Sequence, residues 1–134
     1  MNTSSKLPTG EPAIRTIAMP ADANPAGDIF GGWLMSQMDL AAGNIAARRA
    51  RGRCATVSVD RINFLNPVYI GDEVSLYAEL ERVGRTSLTI RVEAWRRPRD
   101  GEEHVRVTEA TFVFVALDHE GRPRVVPAAT SEAS

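Results

Sequence analysis

The stretch GGWLMSQMDLAAGNIAARRA, residues 31–50, decides the fold of this 134-residue chain because its apolar residues recur with helical spacing. On a helical wheel they form a stripe that is continuous over about three turns: Leu34, Met38, Ala42, Ile45 and Ala46. Arg48, Arg49 and Arg51 lie in or just after the last turn, where cations suit the negative end of the helix dipole. Gly52 is predicted to end this helix.

The composition of the chain changes at residue 51. Ten alanines and no valine precede that position, whereas twelve valines follow it. Because alanine favours helices and β-branched residues favour strands, we expect the helix to be followed by a sheet. With Met19–Asp28 as a loop, five strands are predicted: Ala13–Ala18, Ala55–Leu65, Glu73–Val83, Thr86–Arg96 and Val105–Leu117.

The pairing of these strands follows from the turns between them. Short turns join the last three strands, which predicts antiparallel pairing. The final strand is apolar on both faces in its second half, so we expect it inside the sheet. One helix of about 20 residues covers only one face of a five-stranded sheet. A homodimer that continues the sheet from edge to edge is the simplest way to protect the rest.

The overall composition excludes several classes of protein. The net charge is −1, so no attraction to nucleic acid or to an anionic membrane is expected. One cysteine and two histidines cannot form a Cys/His metal cluster within one chain. No apolar run approaches the roughly 18 residues that span a bilayer, and the N-terminus lacks the apolar run of a signal peptide. We therefore expect a cytoplasmic protein without a metal, a membrane or a nucleic-acid partner.

One domain is expected over residues 13–127, flanked by flexible tails at 1–12 and 128–134, where the sequence is polar or small. The basic residues are fifteen arginines and a single lysine. Arginine suits bidentate contacts with a phosphate-rich ligand, but a compositional bias of the source genome explains the excess more simply.

Asp39 is the most informative single residue because it lies at the edge of the apolar helical stripe. The small residues Ser36, Gly43 and Gly32 lie three, four and seven positions away from it. A carboxylate in such a place costs desolvation unless it is paired or used. An exposed or salt-bridged aspartate and a functional carboxylate both fit this pattern.

The entrance of the helix carries two glycines, Gly31 and Gly32. The first N–H groups of a helix are unpaired and lie at the positive end of its dipole, so bare backbone there suits an oxyanion. The glycines also fit a helix that simply packs closely on the sheet. Asn24, in the preceding loop, is either a turn residue or a polar group of a site.

The run MPADANPAGDIFGGWLMSQMD, residues 19–39, resembles the YciA-like acyl-CoA thioesterases of the hot-dog fold and the related cytosolic acyl-CoA hydrolases of animals. Further matching runs extend the resemblance over residues 13–127: TVSVDRINFLNPVYIGDEV, VGRTSLTIRVEAW and VTEATFVFVALDHEGRPRVVP. The resemblance implies an α+β hot-dog fold, in which one long helix is wrapped by a strongly curved antiparallel sheet of about five strands. It also implies active sites at a homodimer interface and a hexamer made of three dimers.

Under this resemblance, the catalytic aspartate of the family falls on Asp39 and its loop asparagine on Asn24, each from a different subunit of one dimer. The backbone of Gly31, Gly32 and Trp33 falls where the family polarises the thioester carbonyl.

The resemblance also implies a coenzyme A site. The turn of Arg85, Thr86 and Ser87 matches a region close to the coenzyme A moiety, which makes Arg85 a phosphate partner, although a solvated strand-end arginine fits too. Asn63 matches a family position and is assigned to the same site. Asn66 departs from the pattern, because close relatives often carry a basic residue there.

The implied reaction suits these residues. A thioester is already reactive, and its leaving thiol has a pKa of about 8.5, so hydrolysis needs an oxyanion site and a supply of oxygen. No cofactor is expected, since coenzyme A is part of the substrate. Asp39 either activates water or attacks the carbonyl itself, while Asn24 positions the water or the carbonyl. Four apolar residues line an acyl channel or pack in the core: Ile29, Phe30, Trp33 and Met35.

Two other functions remain open from the sequence. A hot-dog hydratase or dehydratase typically pairs a histidine with an acid, but neither His104 nor His119 is near the helix motif in sequence. A non-catalytic acyl-CoA sensor would leave Asp39 unexplained, and no DNA-reading region accompanies the domain.

Overall fold

A single α-helix lies against one face of a five-stranded antiparallel sheet in the computed structural model, which describes residues 6–129. The helix α1 spans Gly31–Ala50, and a short 3₁₀ turn at Pro20–Asp22 precedes it. The strands are β1 (Ile14–Ile17), β2 (Cys54–Phe64), β3 (Glu73–Val83), β4 (Ser87–Arg97) and β5 (Val105–Ala116). Their order across the sheet is β1-β3-β4-β5-β2. The outer ends of the predicted tails, residues 1–5 and 130–134, lie outside the described residues.

The sheet curves around the helix. The helix α1 contacts all four long strands, β2 to β5. Four strands at about 4.8 Å spacing are wider than a helix of about 10 Å diameter, so a flat sheet would leave its outer strands out of reach. The predicted arrangement of one long helix wrapped by a curved antiparallel sheet is therefore confirmed.

The helix buries the face that its periodicity predicts, with small differences. Leu34, Met38, Ala42 and Ala46 are buried as expected, whereas Ile45 is only half-buried. Ala41 and Ala50 are also fully buried, because the curved sheet wraps further around the helix than a flat surface would.

The last residue of the helix, Ala50, is as predicted, but the residue that takes the left-handed conformation after it is not. Arg51, and not Gly52, takes the left-handed conformation after the last turn, with φ 57°. A β-carbon on Gly52 would lie 2.7 Å from Nη2 of Arg124, so a side chain at this position would displace that guanidinium. That guanidinium donates to the carbonyl of Ala50 at 2.9 Å and thereby caps the helix.

Strand β2 forms one edge of the sheet and, among residues 6–129, has no neighbour on its outer side. Its register with β5 shifts twice, between Thr56 and Ser58 and between Asp60 and Asn63, and Arg61 within the second irregularity has φ 54°. Nearly all of the strand is exposed, including Val57 with 56% of its surface accessible. An exposed eleven-residue edge strand of this kind is the type of surface that a second chain covers.

None of the helical segments in residues 6–129 has the length and apolarity that crossing a bilayer requires.

Candidate active site

The start of α1 presents unpaired backbone donors. The N-terminal capping residue is Phe30, whose side chain cannot accept a hydrogen bond, and no side chain caps the helix. The first backbone bond of the helix runs from the N–H of Leu34 to the carbonyl of Phe30, at 3.3 Å. Within residues 6–129, the N–H groups of Gly31, Gly32 and Trp33 therefore have no backbone acceptor. The sequence predicts an oxyanion site at these donors.

The loop before the helix holds Asn24 in a tight turn. Its Oδ1 accepts hydrogen bonds from the N–H groups of Ala26 and Gly27 at 2.9 and 3.1 Å. The backbone closes the same loop through the N–H of Asn24 and the carbonyl of Asp28, at 2.7 Å. Oδ1 therefore fixes the orientation of the side chain, and Nδ2 donates to no partner in the described part of the chain. Asn24 is a turn residue that still has donors for a ligand.

An apolar cavity of about 320 Å³ opens beside the first turn of the helix. Of the four predicted acyl-channel residues, Ile29 and Phe30 line it, whereas Trp33 and Met35 do not. Trp33 instead packs against the core. Most of the lining is not indicated by any pattern in the sequence. It comes from the helix and from the segments around β2 and β5: Leu34, Phe64, Leu65, Val68 and Val107.

Asp39 is half-buried and lies about two turns beyond the start of the helix. Its Oδ1 accepts a hydrogen bond from the hydroxyl of Thr56 on β2, at 2.6 Å. No cation lies within ion-pair distance of Asp39 among the described residues, so the salt-bridged alternative is excluded for this part of the chain. The carboxylate points to the open edge of β2.

These predicted groups do not meet within one chain. Asp39 lies eight residues after Gly31, which is about 12 Å along a helix that rises about 1.5 Å per residue. A thioester carbonyl at the N–H groups of the first turn would therefore be out of reach of the same chain's carboxylate. Both groups nevertheless lie along the exposed edge formed by β2.

The predicted coenzyme A residues are also separated. The turn of Arg85, Thr86 and Ser87 joins β3 to β4 and is held by the N–H of Val126, which donates to the carbonyl of Arg85 at 2.9 Å. The N–H of Ala116 donates to the carbonyl of Thr86, and Ala116 pairs with Cys54, the first residue of β2 after the helix. The turn therefore lies at the end of the sheet where α1 finishes. That end is about 28 Å from Gly31 along the helix axis.

Asn63 lies on the sheet face that points away from the helix. Its neighbour Phe64 contacts Gly31 of the helix, and successive side chains of a strand point to opposite faces. Asn63 lines a polar cavity with Asp60, Arg91 and others, and its Nδ2 donates to the carbonyl of Arg61 at 3.3 Å. It is not brought together with Arg85 in one chain.

The end of the molecule that carries Arg85 is strongly basic. Several arginines come from the end of α1, from the segment before β2 and from the turn after β5: Arg48, Arg49, Arg51, Arg53, Arg122 and Arg124. The backbone N–H groups of Arg122 and Glu120 donate to the carboxylate of Asp118 in that turn and hold the pKa of Asp118 below its ordinary value.

Burial raises the pKa of the Cys54 thiol, and the charge of Arg124 opposes this rise.

Neither histidine lines the cavity at the helix start or bonds to Asp39. His119 lies in a cavity at the opposite end, with Arg51 and Arg53. In residues 6–129, no three His, Cys, Asp or Glu side chains converge in a way that could hold a metal ion.

Comparison with known proteins agrees with this geometry. The sequence profile of the thioesterase superfamily matches residues 26–102. An uncharacterised acyl-CoA thioester hydrolase of Zymomonas mobilis is 53% identical over 126 residues, covering 94% of this chain and 85% of that protein. The acyl-CoA thioester hydrolase YciA of Escherichia coli is 46% identical over 130 residues, covering 95% and 98%.

Solved structures agree as well. The hexameric thioesterase y2039 of Yersinia pestis has 50% identity and a TM-score of 0.87, covering 92% of this chain and all of that one. An acyl-CoA hydrolase of Staphylococcus aureus, solved with butyryl coenzyme A and coenzyme A, has 30% identity and a TM-score of 0.79, covering 87% and 71%. Variants of that enzyme with one aspartate or one asparagine replaced by alanine were also solved.

The chain therefore belongs to the thioesterase superfamily and has the hot-dog fold. Its similarity to YciA-type proteins over nearly its whole length confirms the predicted activity, acyl-CoA thioester hydrolysis.

Proposed function

We propose that this acyl-CoA thioester hydrolase works as a homodimer, in which Asp39 of one subunit acts on a thioester held by the helix start and Asn24 of the other. The observation that carries this proposal is the separation of about 12 Å between Asp39 and Gly31 along one helix. Neither group can complete a site alone, and both lie beside the uncovered edge of β2.

A two-fold axis through the middle of β2 would bring the helix start of the partner subunit close to Asp39. Antiparallel pairing of two copies of this strand aligns the beginning of one with the end of the other. Thr56, which bonds to Asp39, lies near the beginning, and Phe64, which contacts Gly31, lies near the end. Asp39 of one subunit thus comes level with the partner subunit's Gly31.

The same symmetry would place the binding regions for the two ends of the substrate side by side. The basic end of one subunit, with Arg85, comes beside the helix start of its partner. The phosphates of coenzyme A then lie near Arg85, with Thr86 and Ser87 in the same turn, and the acyl chain enters the apolar cavity lined by Ile29 and Phe30. Asn63, on the outer face of the sheet, contributes from the rim of this groove.

A spacing in a relative supports the pairing of Asn24 with Asp39. Alanine replaced one aspartate and one asparagine in the variants of the Staphylococcus aureus hydrolase, and these two positions are 15 residues apart. Asn24 and Asp39 are separated by the same distance in sequence.

The chemistry requires no cofactor. As a base, Asp39 takes a proton from water while the water oxygen attacks the thioester carbon. The electron pair of the carbonyl moves to its oxygen, which accepts hydrogen bonds from the N–H groups at Gly31–Trp33. Collapse of this intermediate breaks the carbon–sulfur bond, and the thiolate leaves and is protonated, giving a free acid and coenzyme A.

As a nucleophile, Asp39 would attack the carbonyl carbon itself and expel the thiolate, and water would then attack Cγ of Asp39 in the mixed anhydride, which releases the free acid. A single turnover in heavy-oxygen water separates the two routes. The base route labels the product acid, whereas the nucleophile route labels the carboxylate of Asp39 first.

Mixing two inactive variants tests the shared site. In a dimer of one Asp39→Asn chain and one Asn24→Ala chain, one of the two sites keeps both native residues. With random pairing, about a quarter of the wild-type activity should return. A site formed within one chain would give no recovery, and that result would overturn the proposal. Each variant alone is the control.

We further propose that three such dimers form a hexamer, as the hexameric state of the Yersinia pestis relative supports. We place the enzyme in the cytoplasm, where a free thiol such as Cys54 stays reduced.

A further inference from the structure

The apolar cavity beside the helix start has an exposed mouth and a buried inner wall. Phe30 and Phe64 lie at the mouth, with 47% and 52% of their surfaces accessible, whereas Val107 is 1% exposed and is the most buried of the lining residues. Resting on the proposed function, in which an acyl chain enters this cavity, we propose that Val107 ends the acyl site and sets the longest chain that the enzyme accepts.

An irregularity in β5 directs the side chain of Val107 into the cavity. Its two neighbours, Arg106 and Thr108, pair with consecutive residues of β4, so Val107 is an extra residue of β5 at this point. Thr108 also pairs with Phe64, which contacts the helix, so a regular strand would point Val107 away from the helix. Because a β-bulge re-aims a side chain, Val107 instead packs in the core and lines the cavity.

Main-chain hydrogen bonds hold the inner wall in this shape. The carbonyl of Val107 accepts hydrogen bonds from the N–H groups of Leu65 and Asn66, at 2.7 and 3.2 Å, where the chain leaves β2. Two other lining residues are joined in the same way, since the N–H of Ile29 donates to the carbonyl of Val68 at 2.9 Å. With the backbone tied together and the core behind it closely packed, the depth of the cavity depends on the size of the side chains.

The size of residue 107 should therefore affect long and short acyl chains differently. Each methylene group that is buried in an apolar pocket raises kcat/KM by roughly fourfold to tenfold. This gain should end where the chain reaches Val107, because a further group would overpack a rigid wall. A short chain whose carbonyl lies at the N–H groups of Gly31–Trp33 does not extend so far and should not be affected by residue 107.

Two opposite substitutions test the proposal on a series of straight-chain substrates from acetyl-CoA to palmitoyl-CoA. Val107→Ala removes both methyl groups of the side chain and should move the preferred chain length upward. Val107→Phe fills the inner end and should lower kcat/KM for the longest chain that the wild type prefers by about tenfold or more. Both variants should hydrolyse acetyl-CoA within about threefold of the wild-type rate, which also shows that they fold.

Val92→Ala is the matched control, because Val92 is a fully buried valine of β4 in the same core but is not among the residues that line the cavity. It should keep the wild-type preference among chain lengths. An unchanged preference in both Val107 variants, or equal losses for acetyl-CoA and for long chains, would overturn the proposal. Wild-type turnover of acetyl-CoA by Asp39→Asn would instead overturn the catalytic assignment of the proposed function and leave the measured chain-length limit in place.

Discussion

Gly31 and Phe64 touch where the helix begins: a β-carbon built on Gly31 would lie 3.3 Å from Cζ of Phe64. The same construction on the neighbouring Gly32 meets no atom within 4 Å. The two glycines therefore differ in their surroundings. A side chain on Gly31 would press on Phe64, whereas the space beside Gly32 is open, and we expect a substrate to approach the backbone there.

Replacing Gly32 with alanine separates folding from function. Alanine in a helix is more favourable than glycine by up to about 1 kcal/mol, so Gly32→Ala should unfold at the same temperature or higher. Its kcat/KM should fall by about tenfold or more, because the added methyl group displaces the thioester from the N–H groups. Thermal unfolding and a thiol-release assay measure the two effects, and full activity would show that nothing approaches this backbone.

Removing the charge of Asp39 tests the centre of the site. Asp39→Asn should fold and assemble normally but lose activity by about 100-fold to 10,000-fold, the contribution expected of a positioned acid or base. Glu79→Gln, at an exposed carboxylate on β3, which β4 and β5 separate from β2, is the control and should hydrolyse acyl-CoA at the wild-type rate. Wild-type turnover by Asp39→Asn would remove this carboxylate from the mechanism.

Most of the fold could be predicted because its signals are local. The helical periodicity and the glycines and arginines at its ends gave bounds for α1 that match those observed, Gly31–Ala50. Alternating apolar residues between short turns gave the strand β3 at Glu73–Val83 and the other long strands within one residue at each end. Each signal lies within or next to the element that it specifies.

The remaining features depend on contacts between distant parts of the chain. The bond from Thr56 to Asp39 joins β2 to α1, and Val107 reaches the cavity from β5. The cap that Arg124 places on Ala50 spans 74 residues. No periodicity marks such partners, because they are set by how the elements pack and not by what each element is.

Arg85 is expected to recognise the nucleotide part of the substrate. Arg85→Ala should raise KM for acyl-CoA by about tenfold, the loss expected for one hydrogen bond to a charged group. KM for an acyl thioester of pantetheine, which lacks the nucleotide, should stay close to the wild-type value. Arg122→Ala, at an arginine whose side chain is 75% exposed, is the matched control. An equal rise for both substrates would argue against a phosphate contact.

Arg124 is expected to stabilise the fold. Its Nη2 donates to the carbonyl of Ala50 at 2.9 Å and its Nε to that of Leu117 at 2.8 Å. Replacing it with alanine leaves both carbonyls without these charged donors, so the free energy of unfolding should fall by about 1.5–3 kcal/mol. Urea unfolding measures this loss, with Arg122→Ala as the neutral comparison. An unchanged midpoint would mean that water replaces the guanidinium without cost.

The turn that presents Arg124 should weaken in acid because of Asp118. The N–H groups of Arg122 and Glu120 donate to Oδ1 of Asp118 and lower the pKa of its carboxyl in the folded protein. A group with a lowered pKa adds stability above its unfolded pKa, and this contribution is lost as the pH falls through the folded value. Thermal unfolding between about pH 2 and pH 5 should therefore show an acid loss that is smaller in Asp118→Asn. Asparagine keeps an acceptor at that position but does not titrate, so identical pH profiles for the two proteins would show that this carboxylate does not couple to folding.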